Sequence, residues 1–276
     1  MAGIAVVLYA LAAVLQTIGA RRATSDPEAA PAVRDLLRER AWVLGVVMLG
    51  LAFLAFVLST RVLPLPVAEI VRSFYPVLTV ILEHLVFETR VRAGELLGAA
   101  LVLVGPVLVA ASGGERGQEQ ATVRTAAVML AVLVTVVALS STATRAAGLS
   151  TVNSGAAQAV LAGLAFTVVD LGVRSLPDPF SIAGALATPA CWIGALAAPI
   201  GLLLFSRAVA RTSAGLATVL LTVVNVVTAS AWSEVAFHDT SGAGSGRYVA
   251  AAAAAALGLW LMRRAAQRDV VAPAGR

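Results

Sequence analysis

Glu69 and Arg72 stand three residues apart inside an apolar run, with Tyr75 three residues further on. On a helix this spacing puts all three on one face and lets the two charges pair. A charge near the bilayer centre costs about 2.5–3.5 kcal/mol on insertion scales, so it faces either a partner or a polar passage. Arg72 could then attract an anionic group to a translocation path. Equally, the two charges could form a self-neutralised structural pair near an interface. Asp170, Thr222, Asn225 and Gln16 are further polar residues within apolar runs. Gln16 and Asp170 could line a cavity from opposite sides, although a carboxylate at the interface touching water is the plainer reading of Asp170. Thr222 and Asn225 suit either substrate contact or hydrogen bonding between helices. Glu88, beside Glu83 and His84, and Glu234, beside His238 and Asp239, end two of the runs. They are read as gates or as solvated helix ends. The two His fall at opposite ends of the expected bundle, which excludes a metal site using both. No H-E-x-x-H or G-x-S-x-G pattern is present, so no catalytic group, metal or cofactor is expected and the chain is not read as an enzyme.

The elements that must hold these residues are membrane helices. Of the 276 residues, 59% are hydrophobic and 13% charged, where a soluble domain has roughly 25% charged. About 20 apolar residues cross the hydrocarbon as a helix. Nine such spans are expected, near 3–20, 41–60, 64–87, 95–113, 125–144, 153–173, 186–207, 213–236 and 247–262. All twenty basic residues are Arg, a hint of a GC-rich bacterial source. Most of them, from Arg21 and Arg22 to Arg263 and Arg264, fall on one side of this arrangement. Only Arg61, Arg116, Arg124, Arg174 and Arg247 fall on the other. By the positive-inside rule the N-terminus is outside and the C-terminus cytoplasmic, in the plasma membrane. The same asymmetry accounts for the basic balance without nucleic acid. Arg21-Arg22 follow the first run instead of preceding it, the wrong order for a cleaved signal. A single cysteine, Cys191, allows no intramolecular disulfide.

A shift of 150 residues superposes Trp42 on Trp192, Arg61 on Arg211 and Phe87 on Phe237. A shift of 153 superposes Gly19 on Gly172, Arg21 on Arg174 and Gly105 on Gly258. Residues 1–114 are thus read as a first four-helix repeat with a long inner loop at 21–40. A linker and fifth helix follow at 115–150, then a second four-helix repeat at 151–263 and a disordered basic tail at 264–276. An odd number of spans separates the copies, so they enter the membrane from opposite sides, a device of secondary transporters. The shift sets Thr222 against Arg72 and Asn225 against Tyr75, four side chains expected to face one another across a pseudo-two-fold. Pro76, Pro106 and Pro199 are expected to kink the spans that hold them, and Gly94-x-x-x-Gly98 to give the fourth span a small packing face.

The stretch from Trp42 through Val62-Leu63-Pro64-Leu65-Pro66 to Leu85-Val86-Phe87-Glu88-Thr89-Arg90, then Gly94-Glu95-Leu96-Leu97-Gly98, resembles the NIPA-like and EamA-like branches of the drug/metabolite transporter superfamily. The resemblance implies an inverted repeat of 4+1+4 helices and a secondary transporter of a small molecule, by metabolite or drug efflux, working by alternating access. Divalent-cation (Mg²⁺) transport of the NIPA-like kind and a non-transporting membrane scaffold are the alternatives. Gln16 stands where related small multidrug resistance proteins carry a proton-coupling acid, and Gln cannot titrate. The expected partners are the lipid bilayer and a small-molecule substrate, with homodimerisation left open.

Overall fold

A computed structural model describes residues 2–24, 31–59, 71–87, 93–110, 122–145, 151–177, 181–237, 250, 253–254 and 257–258. Ten helices account for nearly all of them, and no strand occurs among the described residues. They are α1 (Ala2–Arg22), α2 (Val33–Arg38), α3 (Arg40–Ser59), α4 (Tyr75–Phe87), α5 (Ala93–Ala110), α6 (Val123–Arg145), α7 (Thr151–Arg174), α8 (Ile182–Ala187), α9 (Pro189–Arg211) and α10 (Ala214–Phe237). Residues in α1, α3, α6, α7 and α9 form five stretches long and apolar enough to cross a membrane. At about 1.5 Å per residue, the 21 residues of α1 match a hydrocarbon core of about 30 Å. Leu44, Val47, Leu51, Leu54 and Leu58 of α3 all face outward. In water such an apolar stripe would be a liability; in lipid it meets its own kind. The chain is an all-α protein built to sit in a membrane.

Two antiparallel helix pairs make the frame, and small residues set their spacing. A Cβ added to Gly19 near the end of α1 would meet the backbone nitrogen of Trp42 at 2.6 Å, and one added to Gly45 would meet Gln16. In the α7/α9 pair, Gly172 and Gly194 face each other so closely that a Cβ on either would come within 3.0 Å of the other's Cα. In each pair the end of the first helix therefore meets the start of the second. Each second helix is also introduced in the same way. A six-residue helix, α2 or α8, gives way through one extended residue, Glu39 (φ −81°, ψ 109°) or Thr188 (φ −96°, ψ 109°), to the long helix. Pro189 occupies the first turn of α9, where its missing N–H costs nothing.

The pairs run in opposite senses. Arg21 at the end of α1 donates to the Thr212 carbonyl just past α9 (3.1 Å), and Arg211 at the end of α9 donates to Ser154 at the start of α7 (2.8 Å). So α1 ends where α7 begins. Trp42 joins the pairs by donating its indole N–H to Ser206 Oγ (2.8 Å), and it lies with Leu36, Phe205 and Ala208 in the main core.

Several expectations are adjusted. Val71 and Arg72 are helical, Ser73-Phe74 form a turn and α4 starts at Tyr75, so the helical run is interrupted just ahead of Pro76, where the ring denies a hydrogen bond to the preceding turn. Pro199 does lie inside α9. The seventh span starts at Pro189 instead of 186, because Thr188 breaks the helix. Gly98 does serve a close packing: a Cβ on Gly258 would meet its carbonyl oxygen. Most of the expected ninth span, and the 264–276 tail, lie outside the described residues.

Candidate functional site: a polar seam between the helix pairs

Helices α1 and α4 pack against α10, which in turn packs against α7. Polar side chains meet along this contact in two groups. The first lies away from the Arg21 end. Tyr75 opens α4, twelve residues and about 18 Å from the far end of that helix at Phe87. Its hydroxyl and Thr222 Oγ1 on α10 share a hydrogen bond of 2.8 Å, while Thr222 itself also reaches the Thr218 carbonyl (2.7 Å). The Tyr75 ring packs against Tyr9 of α1 with centroids 5.4 Å apart. One turn further along α10, Asn225 Nδ2 donates to Asp170 Oδ2 on α7 (2.8 Å). The same oxygen faces Arg72 Nη2 at 3.8 Å, an ion pair longer than a hydrogen bond. The Arg72 guanidinium also lies over the Phe56 ring of α3, 4.6 Å from its centroid. Such a contact attracts the cation through the ring quadrupole. The side chains of Arg72 and Asp170 are 16% and 29% exposed, so the pair is sheltered but not sealed.

The second group closes the Arg21 end. Glu83 on α4 is buried and receives the Ala214 N–H at 2.8 Å and the Gly215 N–H at 2.7 Å. These are two of the donors that a helix start leaves without intrahelical acceptors, and the helix dipole favours an anion there. Ser213 Oγ takes a third, from Leu216 (3.1 Å). Arg21 faces Glu83 at 3.5 Å and lies 4.8 Å over the Phe87 ring. One carboxylate thus ties α1 and α4 to the α9–α10 turn.

Arg72, Tyr75, Asp170, Thr222 and Asn225 are therefore brought together, Thr222 on Tyr75 and Asp170 between Asn225 and Arg72. Asp170, one turn before the end of α7, is partly exposed and paired. It is the acid that a second helix sets against Arg72. Glu69, the acid expected there, lies outside the described residues, as does Glu88. Glu234 falls in α10, with its side chain outside the description. Gln16 does not join the seam through any hydrogen bond between described residues. Its side chain packs at the α1–α3 contact against Gly45, is 1% exposed, and its Oε1 has no partner among the described residues.

Arg21, Tyr9 and Phe56 escaped prediction as site residues. Glu83 was legible as a member of a polar cluster read as a gate or a helix end, but not its partner, because nothing in its own neighbourhood announces a helix start 131 residues later. Among the described residues, no three His, Cys, Asp or Glu side chains gather as a metal ion would require. Comparison with family models, curated proteins and solved structures finds no match for this chain.

Proposed function

We propose that the chain is a secondary transporter of a small molecule, a metabolite or drug, working by alternating access between two inverted repeats. One observation carries this reading. The ion pair Arg72–Asp170, with Asn225, Tyr75 and Thr222 around it, bridges two helix sets of opposite direction inside an otherwise apolar contact. A scaffold has no need of charged groups in an apolar seam, since transfer into the bilayer penalises them. A carrier does, because its site must exchange water for protein contacts and back. The matching order of long helix, short helix, single extended residue and long helix in α1–α3 and α7–α9 supports the duplication behind the 4+1+4 arrangement. The Glu83 clasp supports a state closed at the Arg21 end, the cytoplasmic end in the N-outside orientation.

Thermal unfolding of the purified protein against metabolites, organic cations and divalent metals tests the proposal. A specific ligand at 100 times its Kd stabilises by about 2.7 kcal/mol. Asp170→Asn and Arg72→Gln should abolish that shift, and flux of the same ligand in proteoliposomes, while folded yield is kept. A ligand shift that survives both substitutions would move the site elsewhere. Variants that alter only yield, with no ligand in the screen, would favour a scaffold.

A further inference from the structure

We infer that α2, with the end of α1 and the start of α3, is a docking surface for the anionic phospholipid headgroups of one leaflet. Helix α2 lies where the chain leaves α1 and re-enters through α3, at the boundary of the apolar slab. Leu36 anchors it, fully buried in the main core. Val33 and Leu37, four residues apart and so on one face, are 50% and 59% exposed. Beside them Arg34 and Arg38, also four apart, are exposed, as are Arg22 and Arg40. None of these four Arg makes an ion pair or hydrogen bond with a described residue. The acids of the same stretch, Asp35 and Glu39, are half-buried, so the charge presented outward is positive. Asp26 and Glu28, earlier in the chain, lie outside the described residues.

Helix α8 is the internal control. It occupies the matching place before α9 and exposes Ile182 and Leu186, yet Ser181 to Trp192 carries no charge. Because the pairs run in opposite senses, α2 and α8 lie at opposite ends of the bundle. One surface suits a charged leaflet and the other a neutral one. The occupant is a lipid and not a free phosphate, because two exposed apolar side chains sit beside the guanidinium groups. Guanidinium forks match phosphate oxygens two at a time. The juxtaposed Val33 and Leu37 suit the start of the acyl chains, the position of an interfacial amphipathic helix.

The test uses the full chain in nonionic detergent, with thermal unfolding followed as phosphatidylglycerol, phosphatidylcholine or soluble glycerol phosphate is added. Phosphatidylglycerol should raise Tm well above the effect of phosphatidylcholine, the excess should vanish in high salt, and glycerol phosphate should do nothing. Arg34→Gln/Arg38→Gln/Arg40→Gln should weaken apparent affinity for phosphatidylglycerol by about fivefold per Arg removed, whereas the corresponding Lys variant should keep most of it. Equal shifts with the two lipids, a full shift in the Gln variant, or a shift reproduced by glycerol phosphate would overturn the proposal. If the Gln variant does not fold, the salt titration of the unaltered protein decides: an excess that persists in high salt is not electrostatic docking.

Discussion

Asp170 serves two partners through one oxygen, and that makes it the residue most sensitive to change. Converting it to Asn keeps its size and removes the charge that faces Arg72. Asp170→Asn should therefore destabilise by about 1–3 kcal/mol, as an unbalanced charge in sheltered surroundings does. Adding Arg72→Gln should return part of that loss, and a double-mutant cycle of chemical or thermal unfolding in detergent reads the coupling. Additive losses would mean that the 3.8 Å pair contributes nothing. Glu83→Gln offers one amide oxygen where two carboxylate oxygens served two N–H groups and Arg21. It should cost about 1.5–3 kcal/mol. In a Cys191→Ser background, a cysteine placed at Ala214 should also be labelled faster by a thiol reagent once Glu83 is replaced by Ala, since the clasp no longer covers that turn. The composition of the Arg72–Asp170 group was readable from sequence, because polar residues in apolar runs stand out. The partners were not. Spacing along one helix reveals neighbours such as Arg72 and Tyr75, but Asn225 and Asp170, 55 positions apart, carry no local trace of their bond.

Among the elements, the long helices were the most legible and their ends the least. Apolar runs fix where α1, α3, α6 and α7 lie to within about two residues, since each run is bounded by Arg, Ser or Thr. The short helices α2 and α8 were missed as elements. Each holds only six residues, too few for a periodic pattern, and is defined by its packing against the helix that follows. Glycine offers a test at this scale. Gly19→Ala drives a methyl into the Trp42 backbone, so it should cost about 1–3 kcal/mol, the range for overpacking. Gly50, on the same α1/α3 pair, has open space around its position. Gly50→Ala should be neutral or stabilising by up to about 1 kcal/mol through helix propensity alone. Equal effects on thermal unfolding would mean that the α1–α3 approach is looser than the structure has it.

For the whole molecule, the class of fold follows from composition and hydropathy. Inversion between the two sets depends on their contacts, which a sequence shift can suggest but not supply. The orientation proposed from Arg distribution makes a direct prediction. A periplasmic-active reporter fused ahead of α1 should be active, and the same reporter at the C-terminus silent. Activity at both ends would require an even number of crossings and remove the 4+1+4 arrangement.

The indole bond from Trp42 to Ser206 spans the two helix pairs, and it gives the protein an optical readout of its own. Trp42 is shielded at 7% exposure while Trp192 is 54% exposed. With Trp192, Trp232 and Trp260 changed to Phe, the remaining emission comes from a fluorophore wedged between the two helix pairs. Any motion that parts them lets water reach the ring and shifts its emission to the red. A ligand that parts the two pairs, as the proposed transport cycle requires, would announce itself as a change of colour, without a label or a transported tracer.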